Sequence, residues 1–344
     1  MPRQLALLGA DDVGFVDFEP ISTGPGMLRL RSVYSAISHG TEQLLVAGQA
    51  PKFLRQWNAA DRRFEPRSEA PAYPMALGYE CVAEVIEVGV GADGWVCGDR
   101  LWLDAPHQDT HLIDAATVSS FQRIPPGVDP RRFAFLALTR VALGAVHDAL
   151  PMVGDVAAVV GAGAIGQICL QLLRRAGVRR VFVMDRICER LDIAKQFGGI
   201  PINLSQDETL DEVRKGGTAC DLAIEASGHY EGLDVALRSL AVAGRAIVVS
   251  SYGHRAPGAS LGYEFHRNRL TLISSMTIND CPHPQHPRWN LERLNYEAAA
   301  LLSAADVDVL PLITKVVPFD DAAQEYRAAQ TNRGPKTLIA YGNV

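Results

Sequence analysis

Residues 156–166 read VAAVVGAGAIG, an apolar run that breaks into Gly161-Ala162-Gly163-Ala164-Ile165-Gly166 and leads into the helix-patterned stretch IGQICLQLLRRAG. Nineteen residues beyond Gly166, Asp185 closes the next apolar run, VRRVFVMD. Strand, glycine turn, helix and a second strand ending in an acid are the parts a bound dinucleotide needs. Gly161 permits the tight turn, Gly163 lets the backbone approach a pyrophosphate, and Gly166 lets helix and strand pack closely. The first helical turn, with Ala164 and Ile165, offers free N–H groups and a partial positive charge to the anion. Asp185 is placed to accept both hydroxyls of an adenosine ribose and to repel a 2′-phosphate, which favours NAD over NADP. Arg186 tempers that choice, because a guanidinium beside the acid admits a phosphate, and Arg190 one turn on joins the cofactor set. Later strand ends complete such a site: Ser227 in EASG (225–228), then Ser250 and Tyr252 in VVSSYG (248–253). Each serine serves equally well as a turn cap.

Outward from this motif, the strand–helix alternation continues through CDLAIEASG, HYEGLDVALRSLAVAG and RAIVVSSYG, which predicts a parallel sheet covered on both faces. Upstream, residues 1 to about 125 hold short alternating runs such as MLRLRSVYSAIS and ECVAEVIEVGVG, broken by Gly and Pro, as in an antiparallel β-unit. The stretch 50–74, APKFLRQWNAADRRFEPRSEAPAYP, interrupts that pattern and reads as a long surface loop of the functional kind. The tail, DVLPLITKVVPF and PKTLIAYGNV, returns to the β-rich character of the first zone. The net charge of −6 without a long basic run argues against a nucleic-acid partner. No signal peptide and no charge-free apolar window of membrane-spanning length is evident, so a cytoplasmic protein without a membrane partner is expected. Six scattered cysteines fit reduced thiols better than a disulfide framework.

With a β-rich unit before the glycine turn and a returning C-terminus after it, the chain resembles the medium-chain dehydrogenase/reductase superfamily. The matches are GTE at 40–42, GYE at 78–80, GAGAIG, EASG at 225–228 and FHRNRLTL at 265–272. The resemblance implies an α/β protein in which a discontinuous GroES-like β-rich catalytic domain, 1–126 with 291–344, surrounds a Rossmann doubly wound parallel sheet, 127–290. It implies an NAD(P)-dependent alcohol dehydrogenase acting on a small molecule, assembled as a homodimer or homotetramer. His39-Gly-Thr-Glu42, the long insertion after it and PRW at 287–289 look most like bacterial sugar (glycoside) 3-dehydrogenases. The GTE and GYE stretches also resemble bacteriochlorophyllide hydroxyethyl dehydrogenases.

Many members of that superfamily hold a catalytic zinc on a Cys, a His and a third Cys, Asp or Glu. By resemblance those three places fall here on His39, Tyr79 and the neighbourhood of Ala137, while Glu80 keeps the acid after the second ligand. Zinc needs three N, S or carboxylate donors, and this set offers too few, so no metal is expected. Two other arrangements read as bland: His107 and His111 in PHQDTHL as surface or strand residues, and Cys281-x-His283-x-x-His286 as a proline-shaped loop. Without a metal, alcohol oxidation needs a general base and dipoles aimed at the oxygen. In the implied fold His39, Thr41 and Tyr79 replace or flank the metal position, with Glu80 following Tyr79. His39 titrates near neutrality and Tyr79 far above it, so His39 is the better base unless a cation depresses Tyr79. Thr41 would relay the proton, and Glu80 would orient a neighbour or hold a sugar hydroxyl. Glu42 is expected to pair with a basic residue. Stacking on Trp57 or Trp289 and hydrogen bonds from Arg55 suit a polyhydroxylated ring, whereas Lys52 and the arginines of the insertion suit an acidic substrate group. Two alternatives stay open at this point: a larger tailoring substrate, such as a hydroxyethyl tetrapyrrole or natural-product ketone, and an NAD-binding protein without turnover.

Overall fold

The computed structural model describes residues 1–344 except 68, 70, 206–212, 214–218, 254–257, 277–280, 329–333 and 343–344. The chain divides into two compact units, Met1–Ala134 with Lys315–Asn332 and Lys336–Val344, and Phe135–Thr314 with Arg333–Pro335.

In the second unit the apolar runs of the sheet centre become strands with hardly an exposed residue, Val156–Val160 being buried throughout and Arg180–Asp185 and Cys220–Glu225 nearly so. Such strands are stable only with both faces covered, which is the condition of a parallel sheet. Six strands lie in the order Ile200–Asn203, Arg180–Asp185, Val156–Val160, Cys220–Glu225, Leu240–Val248, Thr271–Ser274, all parallel. Helices Ala164–Arg175, Cys188–Gln196 and Tyr230–Ser239 connect them. The order reverses between Val156–Val160 and Cys220–Glu225, so the carboxyl ends of these two strands open the crevice where ligands bind in such sheets.

The first unit is antiparallel. Strand Met27–Ile37 pairs with Cys81–Val88, Thr110–Asp114 and Lys336–Ala340, and its side chains alternate between buried and solvated positions along much of its length. A second sheet joins Asp12–Asp17, Arg3–Gly9 and Met75–Ala76. Leu5, Leu7, Leu77, Phe319, Tyr326 and Ile339 form one core, to which the returning C-terminal segment contributes half.

Two expectations need correction. Residues 50–74 are not a plain loop, because Arg55–Asn58 and Arg63–Pro66 form an antiparallel hairpin. Trp57 faces Phe64 across it, and the Asn58 side chain closes its turn by accepting from the Ala60 and Asp61 amides at 3.0 and 3.1 Å. That is the turn chemistry Asn provides. The second correction concerns the domain boundaries. Residues 291–314 fall in the second unit and 127–134 in the first, in place of divisions at 126/127 and 290/291. Helix Leu291–Ser303 packs on helix Leu136–Ala149, with Arg140 Nη1 donating to Asn295 Oδ1 at 3.1 Å.

Candidate functional site

At the end of strand Val156–Val160 the chain turns through Gly161 at φ +98°, where a β-carbon would lie 2.7 Å from the backbone of Ser227. A β-carbon on Gly166 would lie 1.9 Å from the Gly161 carbonyl oxygen, so the helix meets the turn more closely than any side chain permits. Gly163 is different: it begins helix Ala164–Arg175 with open space before it and no side chain capping the helix. Beside this uncapped helix start lies a cleft of about 520 Å³ lined by Gly161, Gly163, Asp185, Arg186, Arg190 and Ser227, among others. The open cradle at Gly163 fits a pyrophosphate.

Asp185 is buried in the cleft wall. Its Oδ2 accepts the Ala162 amide at 2.7 Å and its Oδ1 the Ile187 amide at 2.9 Å, while Arg190 Nη1 stands 3.8 Å away. Each oxygen already accepts one bond and keeps a second lone pair for a ribose hydroxyl. Arg186 is exposed at the cleft and Arg190 is held by the Gly334 carbonyl at 3.3 Å. Ala164, Ile165 and Gly166 open the helix without lining the cleft.

Ser227, Ser250 and Tyr252 converge on Glu225, a fully buried carboxylate at the end of its strand. Glu225 Oε1 accepts the Ser227 amide at 2.7 Å and the Ser227 hydroxyl at 2.5 Å, and Oε2 accepts the Tyr252 hydroxyl at 2.7 Å. Ser250 Oγ accepts the Gly228 amide at 2.8 Å. Ser227 alone of the three lines the cleft; the other two support the turn behind it. Burial and the neighbouring Glu225 charge push the Tyr252 phenol up, so it remains a donor. Sequence reasoning passed over Glu225, although an acid ending an apolar strand is itself a legible anomaly.

In the first unit, His39 is half-buried and Thr41 exposed, in the turn that enters helix Thr41–Val46. Tyr79 Oη donates to Ser38 Oγ at 2.6 Å and shares a hydrogen bond with Thr41. Burial, then Glu80, push the Tyr79 phenol far above its ordinary value, so Tyr79 is a proton donor at neutral pH and not a base. Glu80 is fully buried in an ion pair with Lys336 Nζ at 2.8 Å. It therefore does not hold a sugar hydroxyl, since water and ligand have no access to it. Glu42, as expected, pairs with a basic residue, His107, at 3.4 Å. His107 is a core residue with no exposed surface, not a surface one, and His111 lies buried in strand Thr110–Asp114 with Ser32 at 3.0 Å and Cys81 at 3.4 Å.

The expected substrate residues part company. Arg55 and Trp57 stand exposed on the hairpin, with Phe64 edge-on to Trp57 at 5.0 Å. Trp289 belongs to the second unit and is already stacked, with the Arg293 guanidinium 4.0 Å and the His147 ring 4.3 Å from its centre. His147 Nδ1 in turn meets His283 Nε2 at 3.2 Å, and His283 Nδ1 accepts the Gln285 amide at 3.0 Å.

A catalytic zinc fits these residues poorly. Tyr79 is a protonated donor, Ala137 is a buried helical alanine, and Glu80 is neutralised by Lys336. Among the described residues no group of three or more His, Cys, Asp or Glu side chains is arranged to hold a metal ion. Nor, among them, is any helix long and apolar enough to cross a membrane.

A family model described as zinc-binding dehydrogenase matches residues 164–291. The D-guloside 3-dehydrogenase of Escherichia coli (strain K12) is 30% identical over 319 residues, covering 90% of this chain and 91% of that one. The structure of 2R,3R-butanediol dehydrogenase from Bacillus subtilis matches with a TM-score of 0.77 at 20% identity over 100% of both chains. A zinc-binding dehydrogenase from Sinorhizobium meliloti 1021, solved with NADP, matches with a TM-score of 0.77 at 18% identity over 99% of both. The chain belongs to the medium-chain zinc-binding dehydrogenase family. It is thus an oxidoreductase of a family that uses NAD or NADP, with a GroES-like β-rich unit and a Rossmann unit.

Proposed function

We propose that this chain is an NAD-linked, zinc-independent dehydrogenase that interconverts a secondary alcohol and a ketone on a sugar, glycoside or cyclitol-like ring. The observation that carries the reading is the replacement of a metal-binding set by a hydrogen-bonded one, Tyr79 on Ser38 with Thr41 beside it and Glu80 closed by Lys336. The likeness to a D-guloside 3-dehydrogenase over nine-tenths of the chain supports the ring substrate. The position of Asp185 at the cleft supports NAD over NADP.

When bound, the dinucleotide supplies the hydride acceptor. His39 takes the hydroxyl proton on its imidazole as the carbonyl forms, and Thr41 relays it. Tyr79, kept protonated by its surroundings, directs its dipole toward the oxygen that bears the developing charge. Arg55 and Trp57 hold the ring by hydrogen bonding and stacking. The test is turnover of a panel of glycosides, free sugars, cyclitols and simple polyols with NAD, before and after exhaustive dialysis against a chelator. Retained turnover of ring substrates after dialysis is expected. Loss of activity with one metal per chain, or turnover of none of the ring alcohols, overturns the reading.

A further inference from the structure

Residues 38–42 form a closed ring. The Glu42 amide donates to the Ser38 carbonyl at 3.0 Å, and the Ser38 amide donates back to Glu42 Oε2 at 2.6 Å. His39, Gly40 and Thr41 are the three residues enclosed, so the geometry of the turn follows that of the Glu42 carboxylate. The carboxylate is itself fixed from below. Tyr326 Oη donates to its Oε2 at 2.9 Å, and His107 Nε2 approaches its Oε1 at 3.4 Å. His107 Nε2 also meets Tyr326 Oη at 3.0 Å, while its Nδ1 meets Ser35 Oγ at 2.7 Å. Every member of this set is buried.

The same imidazole reaches the other half of the constellation. A β-carbon on Gly78, which sits at φ +99°, would lie 2.7 Å from the His107 ring, and the His107 amide donates to the Leu77 carbonyl at 2.8 Å. The segment that carries Tyr79 thus rests on His107, just as the turn that carries His39 rests on Glu42. Burial alone would push the Glu42 carboxyl up. The His107 charge and the hydrogen bonds from Ser38 and Tyr326 reverse this, so the group stays ionised in the core.

The geometry points to Glu42 and His107 as a positioning pair that sets His39 and Thr41 against Tyr79 for proton transfer, without touching substrate or cofactor themselves. This rests on His39 being the base, as proposed above. A buried ionic pair contributes little net stability, but it fixes one arrangement among several. Displacement of a reacting group by about 1 Å costs roughly a hundredfold in rate.

The test is Glu42→Gln in the full chain, with kcat, KM, the primary deuterium isotope effect and NAD affinity by calorimetry. The expected result is a kcat lower by roughly ten- to a hundredfold, an unchanged KM and NAD affinity, and a larger isotope effect as the chemical step slows. Wild-type kcat overturns the pairing, and so does a lower kcat with an unchanged isotope effect, or one joined by a higher KM and weaker NAD affinity, either of which marks a loss of folded protein or of general structure. If Glu42→Gln does not fold, Tyr326→Phe, which removes one hydroxyl, decides on the same readouts: a fall in kcat alone supports the pair and no change overturns it. His39→Asn measured alongside keeps the two readings apart. Full turnover there removes the base itself, whereas full turnover in Glu42→Gln beside an inactive His39→Asn removes only the pair.

Discussion

The turn at Gly161 and the turn at His39 are built on opposite plans. The first works by absent side chains: a missing β-carbon at Gly166 lets the helix close on the strand, and open space at Gly163 leaves the helix start uncovered beside the cleft. The second works by buried side chains, with Glu42, His107, Tyr326, Glu80 and Lys336 all sealed beneath a half-exposed histidine. Backbone recognition tolerates little added volume. Side-chain recognition tolerates little loss of charge.

The largest effect expected from breaking this contrast is Lys336→Met. It removes the cation that faces the buried Glu80 carboxylate, at a cost of about 3–5 kcal/mol in urea denaturation. Nucleotide affinity is expected to persist wherever the protein remains folded, because Glu80 lines no part of the cleft. Gly166→Ala attacks the other plan. One methyl group aimed at the Gly161 carbonyl costs about 1–3 kcal/mol of stability, and NAD affinity by calorimetry falls by roughly a hundredfold as the turn opens.

Acid sharpens the comparison, since each unit holds a histidine that folding keeps neutral. Burial lowers His111 from 6.5 to about 4; burial, with the charges of His283, Arg288 and Arg293, lowers His147 to about 4 as well. Both bind a proton more weakly when folded than when unfolded. Their contribution is therefore whole above about pH 6.5 and is lost as the pH falls toward 4. Denaturation midpoints are expected to fall across that window, and His111→Gln to reduce the slope. The smallest effect is Trp57→Ala on the exposed hairpin: about 0.5 kcal/mol of stability, with KM for a ring substrate raised by about fivefold and kcat unchanged. An unchanged KM would detach the hairpin from substrate recognition.

The cofactor half was legible because its physics is local. A turn, a close approach and an acid 19 residues on are all visible within one βαβ stretch. The partners of the other half are not: Lys336 lies 256 residues from Glu80, and Tyr326 lies 284 from Glu42. The GYE motif marks Glu80 but carries no sign of its cation, so of the two roles read for this acid, orienting a neighbour or holding a sugar hydroxyl, the buried ion pair leaves room only for the first. Helix Leu291–Ser303 shows the same limit. Its amphipathic pattern announces that one face needs covering, and only the fold shows helix Leu136–Ala149 doing so. The hairpin at 55–66 was hidden because charge and proline blur its alternation, while its decisive pair, Trp57 and Phe64, meets only after the turn forms.

The ring pair under Trp289 has a further consequence. Because His283 Nδ1 receives the Gln285 amide, its hydrogen must sit on Nε2, and His147 must take it at Nδ1 and carry its own hydrogen on Nε2. One tautomer of each ring satisfies the pair and no third hydrogen has a place, since it would set two N–H groups against each other. The arrangement has a single fully bonded state: both contacts hold while the two imidazoles are neutral, and an added proton breaks either the ring pair or the Gln285 bond.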